Sequence, residues 1–163
     1  MKTRTLDAKM WLPLGIDQVF AFFSDAHNLD ALTPAVLRFQ TLTPRPIDMH
    51  VGTLIDHKLR VHALPIRWQS EITVWNPPHQ FVDEQRRGPY KRWRHVHDFV
   101  ACEGGTSILD HVEYAAPGWI CEPLLHRWLV GPDLRAVFTY RQQKIRELLA
   151  PQSLGGADAI VLS

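Results

Sequence analysis

The sequence predicts an α+β domain in which a curved antiparallel sheet of seven strands wraps around one long C-terminal helix. Three observations lead to this prediction. Residues 37–114 show six successive strand patterns divided by turn signals, which favours antiparallel pairing of neighbours. One strand and two short helices precede that series. After Gly131 the apolar period changes from two residues to the spacing of an amphipathic helix, which needs a sheet to cover its apolar face.

Local signals place the N-terminal elements. The first strand covers residues 3–12 and ends at Pro13. Asp17 then caps a short helix that contains the apolar run 19–23, and a second short helix covers residues 28–32. The six strands that follow are predicted at residues 37–42, 53–62, 67–75, 81–86, 90–101 and 106–114.

The C-terminal helix has a clear start and end. Pro132 stands at its first position and Asp133 in its first turn, and it ends before Pro151. Its apolar face is predicted to hold Leu134, Val137, Phe138, Ile145, Leu148 and Leu149. Residues 1–150 are therefore expected to form a single domain, and residues 151–163 a flexible tail in which 160–162 could dock.

The charge balance argues against two classes of partner. The chain has 163 residues with 18 basic and 17 acidic side chains, a net charge of +1, so we expect no nucleic-acid partner. A basic group near one hairpin is interpreted as a solvated outer face because Glu84 and Asp98 lie beside it: Arg86, Arg87, Lys91, Arg92 and Arg94. No apolar run reaches the length of about 18 residues that a spanning helix needs, so we expect no stable membrane insertion.

The N-terminus and the cysteines favour a cytoplasmic location. Asp7 and Lys9 interrupt any apolar core of a signal peptide. Cys102 and Cys121 are the only cysteines, and without an export signal we expect them to be reduced and partly buried.

Strand alternation predicts which side chains face the helix. On the strand 90–101 the odd positions carry one charge and the even positions three, so we expect the odd positions to face inward. The same comparison places Trp68, Ser70, Ile72 and Val74 of the strand 67–75 inside. The candidate ligand-binding residues of this inner face are His57, Trp68, Ser70, Asp83, Gln85, Trp93, His95, His97, Phe99, Ile108, Asp110 and Tyr114.

This inner face mixes apolar and polar groups to an extent that a dry core does not tolerate. Each buried polar group without a partner costs about 1–3 kcal/mol. The polar residues therefore either bond with one another or meet water and a ligand in an internal cavity, and we favour the cavity. Four aromatic residues then offer flat surfaces to an apolar ligand, although each is equally suited to core filling: Trp68, Trp93, Phe99 and Tyr114.

The pair His95 and His97 is the sharpest local feature, and three interpretations stay open. As metal ligands the two would need a third, such as His57 or Asp110, and no Cys/His spacing signature supports a metal, so we expect none. As an acid or base, either histidine could work with Asp110 as its helper. The third and favoured interpretation is a hydrogen-bonded network that shapes a polar spot in the pocket. A close pair of Asp83 and Asp110 could likewise act as acid and base, or simply pair with cations.

The segment before the long helix is apolar. It contains Trp119, Leu124, Leu125 and Trp128 around Pro123. Residues 119–130 are interpreted as a lid over the cavity mouth, as a patch for transient membrane contact, or as plain core packed against the first two helices.

Several segments together resemble a known family. They are residues 81–85 (FVDEQ), 87–90 (RGPY) and 93–99 (WRHVHDF), followed by Gly105, Thr106, Asp110 and Tyr114. With the order of the elements over about residues 3–150, they resemble a bacterial ligand-binding branch of the START-like (SRPBCC) helix-grip superfamily, to which birch-pollen allergens and polyketide cyclases belong. The resemblance implies an internal cavity for a lipid, isoprenoid or polycyclic molecule and no obligatory cofactor. It implies no particular reaction.

Overall fold

The computed structural model describes residues 3–116, 130–153 and 158–163. Within these ranges, eight antiparallel strands form one sheet: β1 Arg4–Leu12, β2 Gln40–Thr41, β3 Leu54–Val61, β4 Leu64–Asn76, β5 Gln80–Arg87, β6 Arg92–Cys102, β7 Gly105–Ala115 and β8 Ala159–Leu162. The strand order is β2-β3-β4-β5-β6-β7-β1-β8, so the six meander strands lie side by side and β1 joins the open edge of β7. Two α-helices are described, α1 Ile16–Ser24 and α2 Gly131–Leu149, together with 3-10 turns at Ala26–Asp30 and Ala35–Leu37.

The predicted α+β class and the order of the elements are confirmed. The predicted second helix is a 3-10 turn, and the predicted strand 37–42 is reduced to the two residues of β2. The sheet has an eighth strand because residues 159–162 pair with β1, which is the docking that the sequence leaves open for residues 160–162 of the tail. The apolar side chain of Ile160 packs beside Leu6 and Ala8 of β1, which gives this short strand a reason to dock.

One inward assignment on β4 is wrong. The pairing between β4 and β5 shifts register between Ile72 and Val74, so Thr73 is an extra residue on the β4 side. Such a bulge reverses the faces of the residues that follow it. Val74 therefore leaves the inner face, and Trp75 takes its place, with its ring 5.3 Å from that of Phe20.

The inward face of α2 is more polar than its spacing predicts. Leu134, Phe138 and Ile145 are buried as expected, whereas Leu148 is exposed. Gln142 and Arg146 are buried as well. The amide of Gln142 donates to the carbonyl of Lys9, and the guanidinium of Arg146 donates from Nε to Asp158 at 2.8 Å. These partners are remote in sequence, which is why helical periodicity alone assigns both residues to the surface.

Two apolar clusters fill the space on the inner side of the sheet. The larger packs α1 against β1, β5, β6 and β7, with Phe20, Phe81 and Phe99 in mutual ring contact. The smaller packs α2 against β1 and β7 through Leu134 and Phe138. The two candidate histidines of β6 lie between these clusters, because His97 stacks on Phe81 of the larger one and the ring of His95 lies 5.7 Å from Phe138 of the smaller one.

The outer face carries the charges. Arg86 pairs with Glu71, Arg92 with Glu113, and Arg94 with Glu84, so the basic hairpin is largely neutralised by glutamates on the same side of the sheet. Cys102 is free but exposed, which corrects the expectation of a partly buried thiol, and Cys121 lies outside the described residues. In the described ranges, neither helix combines the length and the apolar character that crossing a bilayer requires.

Candidate functional site

The inner face brings two aspartates and two histidines into one cluster. Asp83 lies on β5, His95 and His97 lie on β6, and Asp110 lies on β7. Strand register explains their meeting, because Asp83 is paired with His95 and His97 with Asp110 across neighbouring strands. Both histidines and Asp110 are less than a tenth exposed, so the predicted inward direction of this face is confirmed. We call these four residues the Asp–His cluster.

Each histidine donates a hydrogen bond to a carboxylate. Nε2 of His95 donates to Oδ1 of Asp110 at 3.0 Å, and Nε2 of His97 donates to Oδ2 of Asp83 at 2.9 Å. The other ring nitrogens face the opposite carboxylates, with Nδ1 of His97 at 3.0 Å from Asp110 and Nδ1 of His95 at 3.8 Å from Asp83. The two imidazole rings lie against each other with centroids 3.7 Å apart. The hydrogen bonds predicted for this pair are therefore present, whereas the pocket that they were expected to shape stays a prediction.

The two histidines differ in charge. Burial and the positive charge of His97 lower the pKa of His95, although Asp110 opposes this change. Burial also acts against the charged form of His97, but the carboxylates of Asp110 and Asp83 outweigh it and raise the pKa of that ring. The opposite directions mean that His97 is the member of the pair that favours the positive charge, and that a neutral His95 with its proton on Nε2 has a lone pair on Nδ1.

Both aspartates are ionised in spite of their burial. Burial alone would raise the pKa of each carboxyl group. For Asp83 the hydrogen bond from His97 and the nearby positive charges outweigh burial, and its pKa falls. For Asp110 the hydrogen bond from His95 and the contact with His97 hold the pKa well below its usual range. The cluster thus holds two negative charges in a low-dielectric interior, which require two positive charges nearby.

Arg141 of α2 supplies the second positive charge, and the sequence analysis missed it. Burial lowers the pKa of Arg141, but Asp110 and Asp83 oppose this effect, and a guanidinium keeps its charge in proteins. Its Nε is buried and finds no hydrogen-bond partner in the described ranges, and its Cζ lies 5.0 Å from the ring centroid of Phe138. The sequence feature that could have revealed it is its spacing, because Arg141 follows Phe138 by three residues and so lies on the same face of the helix.

An aromatic group borders the cluster. The ring centroids of Trp68 and Trp93 lie 5.2 Å apart in an edge-to-face arrangement, and Tyr90 contacts both indoles. Tyr114 contacts Trp93 from β7, and Trp93 in turn lies 6.4 Å from His95. Both indoles are only partly buried, in contrast to the fully buried Tyr114. We call Trp68, Tyr90, Trp93 and Tyr114 the aromatic wall.

The remaining candidates lie around these two groups. The indole N–H of Trp68 donates to Ser70 at 3.0 Å, so Ser70 supports the aromatic wall. The amide of Gln85 bonds in both directions with the backbone of Tyr90 and so fixes the β5–β6 turn. Phe99 and Ile108 are buried in the larger apolar cluster beside α1.

His57 lies apart from the Asp–His cluster. Its Nδ1 is 3.2 Å from the hydroxyl of Thr41 and its ring packs against Phe39. The segment 119–130, interpreted above as lid, membrane patch or core, lies outside the described residues except for Val130.

The arrangement has three chemical capacities. A neutral imidazole oriented by a buried carboxylate, as in His95 and Asp110, is the geometry of a general base. Two ionised aspartates with two cations form a polar spot that can orient the head of a ligand. The third capacity is metal binding: Asp83, His95 and His97 each offer one ligand atom for a metal ion, and these atoms lie within 4.8 Å of one another.

Comparisons with known proteins place the fold. No family model matches the sequence, and neither does any curated protein. Among solved structures, the chain is similar to TTHA0849 from Thermus thermophilus, with a TM-score of 0.67 and 14% identity over 88% of this chain and 98% of that one.

Two further similar structures have descriptive names. Ginseng major latex-like protein 151 from Panax ginseng gives a TM-score of 0.66 at 11% identity, over 91% of this chain and 99% of that one. The Zhui aromatase/cyclase from Streptomyces sp. R1128 gives a TM-score of 0.65 at 10% identity, over 94% of this chain and all (100%) of that one. These likenesses, with the observed strand order and the long C-terminal helix, show that the chain has the START-like helix-grip fold that its sequence resembles.

Proposed function

We propose that the protein binds, and in doing so could transport, a hydrophobic or amphipathic small molecule between α2 and the inner face of the sheet. The ligand class is a lipid, an isoprenoid or a polycyclic aromatic molecule. Its apolar part lies against the aromatic wall, and its polar end lies at the Asp–His cluster. The proposal leaves the individual ligand open.

The observation that carries this proposal is that the two indoles of the aromatic wall are only partly buried directly beside a charged cluster. Trp68 and Trp93 are only partly buried on the face that elsewhere forms the core. Indole rings with exposed faces in a concave setting are typical of sites for flat or isoprenoid ligands. Beside them, Arg141 has a buried Nε with no partner among the described residues, and an unsatisfied donor of this kind favours an oxygen atom of a bound molecule.

A fluorescence titration tests this proposal. The probe is 1-anilinonaphthalene-8-sulfonate, a bicyclic aromatic anion whose emission rises in an apolar site. We expect saturable binding to the folded wild-type protein and a clear loss of affinity in Trp68→Ala and Trp93→Ala. The matched control is Trp11→Ala, because Trp11 has the same side chain but lies at the outer surface, 36% exposed. Equal affinity in all four proteins would place the probe elsewhere and contradict the proposal.

A second candidate function is an enzyme of the cyclase, dehydratase or hydrolase type, with His95 or His97 and Asp110 as acid and base. The specific observation in its favour is the His95–Asp110 hydrogen bond, which leaves Nδ1 of a neutral imidazole as a base. One of the similar structures is named an aromatase/cyclase. Cyclase and dehydratase reactions of carbonyl compounds begin with removal of a proton next to a carbonyl group, and an oriented imidazole contributes about 10²–10⁴-fold to such a step.

Deuterium exchange next to a ketone tests this alternative without knowledge of the substrate. The probe is 2-tetralone, a bicyclic aromatic ketone, followed by NMR in heavy water. The enzyme hypothesis predicts exchange that is faster with the wild type than with His95→Gln, and unchanged in His111→Gln. His111 is a suitable control because it also bonds to an aspartate, Asp7, but on the outer face. If the wild type and His95→Gln exchange at the same rate, the binding function stands alone.

A further inference from the structure

We propose that Asp83, His95 and His97 form a binding site for a divalent transition-metal ion, with Asp110 as the residue that orients both imidazoles. This inference does not rest on the proposed ligand binding, because the ion and the organic ligand are measured separately. The site was not expected from the sequence, where the third ligand was sought at His57 or Asp110. The structure supplies Asp83 instead, from the neighbouring strand β5.

The spacing of the donor atoms suits one ion. Oδ2 of Asp83 lies 2.9 Å from Nε2 of His97 and 3.8 Å from Nδ1 of His95. In a tetrahedral site with bonds of about 2.0–2.2 Å, neighbouring ligand atoms are separated by about 3.4 Å. The two observed separations lie on either side of that value. All three ligand atoms lie within 4.8 Å of one another, so side-chain rotations that shorten the longer separations would seat an ion between the three groups.

The position of Asp110 gives independent support. Histidines that bind metals usually present their second ring nitrogen to a carboxylate, which fixes the ring and its tautomer. Here the second nitrogens are Nε2 of His95 and Nδ1 of His97, and each lies 3.0 Å from the same oxygen, Oδ1 of Asp110. For His97 this contact lacks the alignment of a hydrogen bond, so that Nδ1 is a buried polar atom without a partner in the described part of the chain. To ligate the ion, Nε2 of His97 releases its proton to the solvent while Nδ1 keeps its own, and rotation of the ring onto the ion would let that Nδ1–H point toward Asp110.

The donor set defines the class of ion. Two imidazoles and one carboxylate suit Zn²⁺, Fe²⁺, Co²⁺ and Ni²⁺, whereas Ca²⁺ and Mg²⁺ prefer sites made of oxygen atoms. Three protein ligands leave at least one coordination position for water or for an oxygen atom of a bound molecule. The open position would lie on the side of Asp83, which is the most accessible member of the cluster at 19% side-chain exposure.

Arg141 acts against the ion. Its positive charge interacts with both Asp83 and Asp110, so a cation must compete with it for the same carboxylates. This competition predicts that loss of the Arg141 charge changes the affinities for a metal ion and for an anionic ligand in opposite directions. Removal of the charge in Arg141→Met is expected to tighten metal binding, whereas the same change would weaken the binding of an anionic organic ligand.

The test uses the full chain, expressed without a histidine tag and freed of metal by chelation. Co²⁺ alone is added, and its visible absorption bands report coordination by nitrogen and oxygen ligands; equilibrium dialysis with Zn²⁺ gives the number of ions bound. We expect one ion per chain in the wild type and no saturable binding in His95→Ala or His97→Ala. Asp110→Asn is expected to bind about 10–100-fold more weakly, as loss of an orienting partner does in other sites.

One control variant and one further ligand variant complete the test. His50→Ala removes an exposed histidine that lies 3.7 Å from Asp48, outside the cluster, and is expected to bind like the wild type. Asp83→Asn replaces the carboxylate ligand with a group of the same shape, and circular dichroism checks that each variant is folded. The proposal is overturned if the folded wild type binds no Co²⁺ or Zn²⁺, or if Asp83→Asn, His95→Ala and His97→Ala bind as tightly as the wild type.

Discussion

His57 shows at the residue scale how burial alone shifts an ionisable group in this interior. It is 3% exposed, and its ring is held between Phe39 and the hydroxyl of Thr41. Burial lowers the pKa of His57 to about 4, because the opposing effect of Asp83, Asp30 and Asp56 is smaller than the loss of water. The folded protein therefore keeps this imidazole neutral at pH values where the unfolded chain protonates it.

This pKa shift predicts that acid destabilises the protein through His57. Above pH 6.5 the ring is neutral in the folded and the unfolded state, so it adds nothing to the pH dependence of the free energy of unfolding. Between pH 6.5 and about 4 only the unfolded state takes up the proton. The free energy of unfolding therefore falls as the pH falls through this range. From about pH 7 to about pH 5 the loss due to this group is about 2 kcal/mol. Denaturant unfolding of the wild type and His57→Gln at both pH values measures it. Identical pH dependence in the two proteins would contradict the assignment.

Asp110 shows how much a buried ion-pair partner contributes to the free energy of unfolding compared with an exposed one. In Asp110→Ala the imidazole of His95 loses its hydrogen-bond acceptor in the interior, and His97 loses one of its two neighbouring carboxylates. Removing one member of a buried ion pair costs about 3–5 kcal/mol. We therefore expect a loss of that size in the free energy of unfolding of the metal-free protein.

The matched control is Asp7→Ala. Asp7 bonds to His111 at 2.6 Å, yet both side chains are more than a third exposed. Exposed pairs contribute about 0–1 kcal/mol because water replaces the lost partner. Urea unfolding of the two variants compares these costs directly. Equal losses in Asp110→Ala and Asp7→Ala would mean that the cluster contributes no more than a surface pair.

At the scale of the element, β8 is held by a buried ion pair as well as by its strand hydrogen bonds. Asp158, one residue before β8, accepts from Arg146 of α2, and the Arg146 side chain is only 6% exposed. The backbones of Thr5 and Ser163 also bond to each other in both directions. The C-terminal segment thus fastens the outer edge of β1 to the long helix.

Asp158→Ala is expected to release this segment. The change leaves a buried guanidinium without its carboxylate, so β8 should separate from β1 more often than in the wild type. Hydrogen exchange of the Thr5 amide, which donates to Ser163, measures the separation, and faster exchange is expected there than in the amides of β6. The control is Glu147→Ala, which breaks an exposed pair with Lys144 on the same helix. Unchanged exchange at Thr5 in Asp158→Ala would show that the strand pairing alone holds β8.

At the scale of the whole molecule, alternation and turn signals were enough to predict the meander and its inner face. The charges of residues 90–101 fall on alternate positions, and this difference correctly directed His95 and His97 inward. The bulge at Thr73 could not be predicted, because one extra residue in a strand leaves no mark in composition or period. It exchanges Val74 for Trp75 on the inner face.

The candidate site was only partly predictable for a similar reason. The two aspartates and two histidines alternate correctly along their own strands, so their meeting followed from the order of the meander. Arg141 was missed because a charged residue on an amphipathic helix is normally assigned to solvent. Its burial depends on Asp83 and Asp110, which lie far away in the sequence. Contacts of this kind appear only when the helix is placed against the sheet.

The central claim is that a small molecule occupies the space between α2 and the inner face, and the most direct measurement is a crystal structure of the protein with 1-anilinonaphthalene-8-sulfonate. The account predicts electron density for the aromatic rings against Trp68 and Trp93, within reach of Arg141 and the Asp–His cluster. Density confined to the outer surface, with protein side chains filling the space beside the aromatic wall, would contradict it.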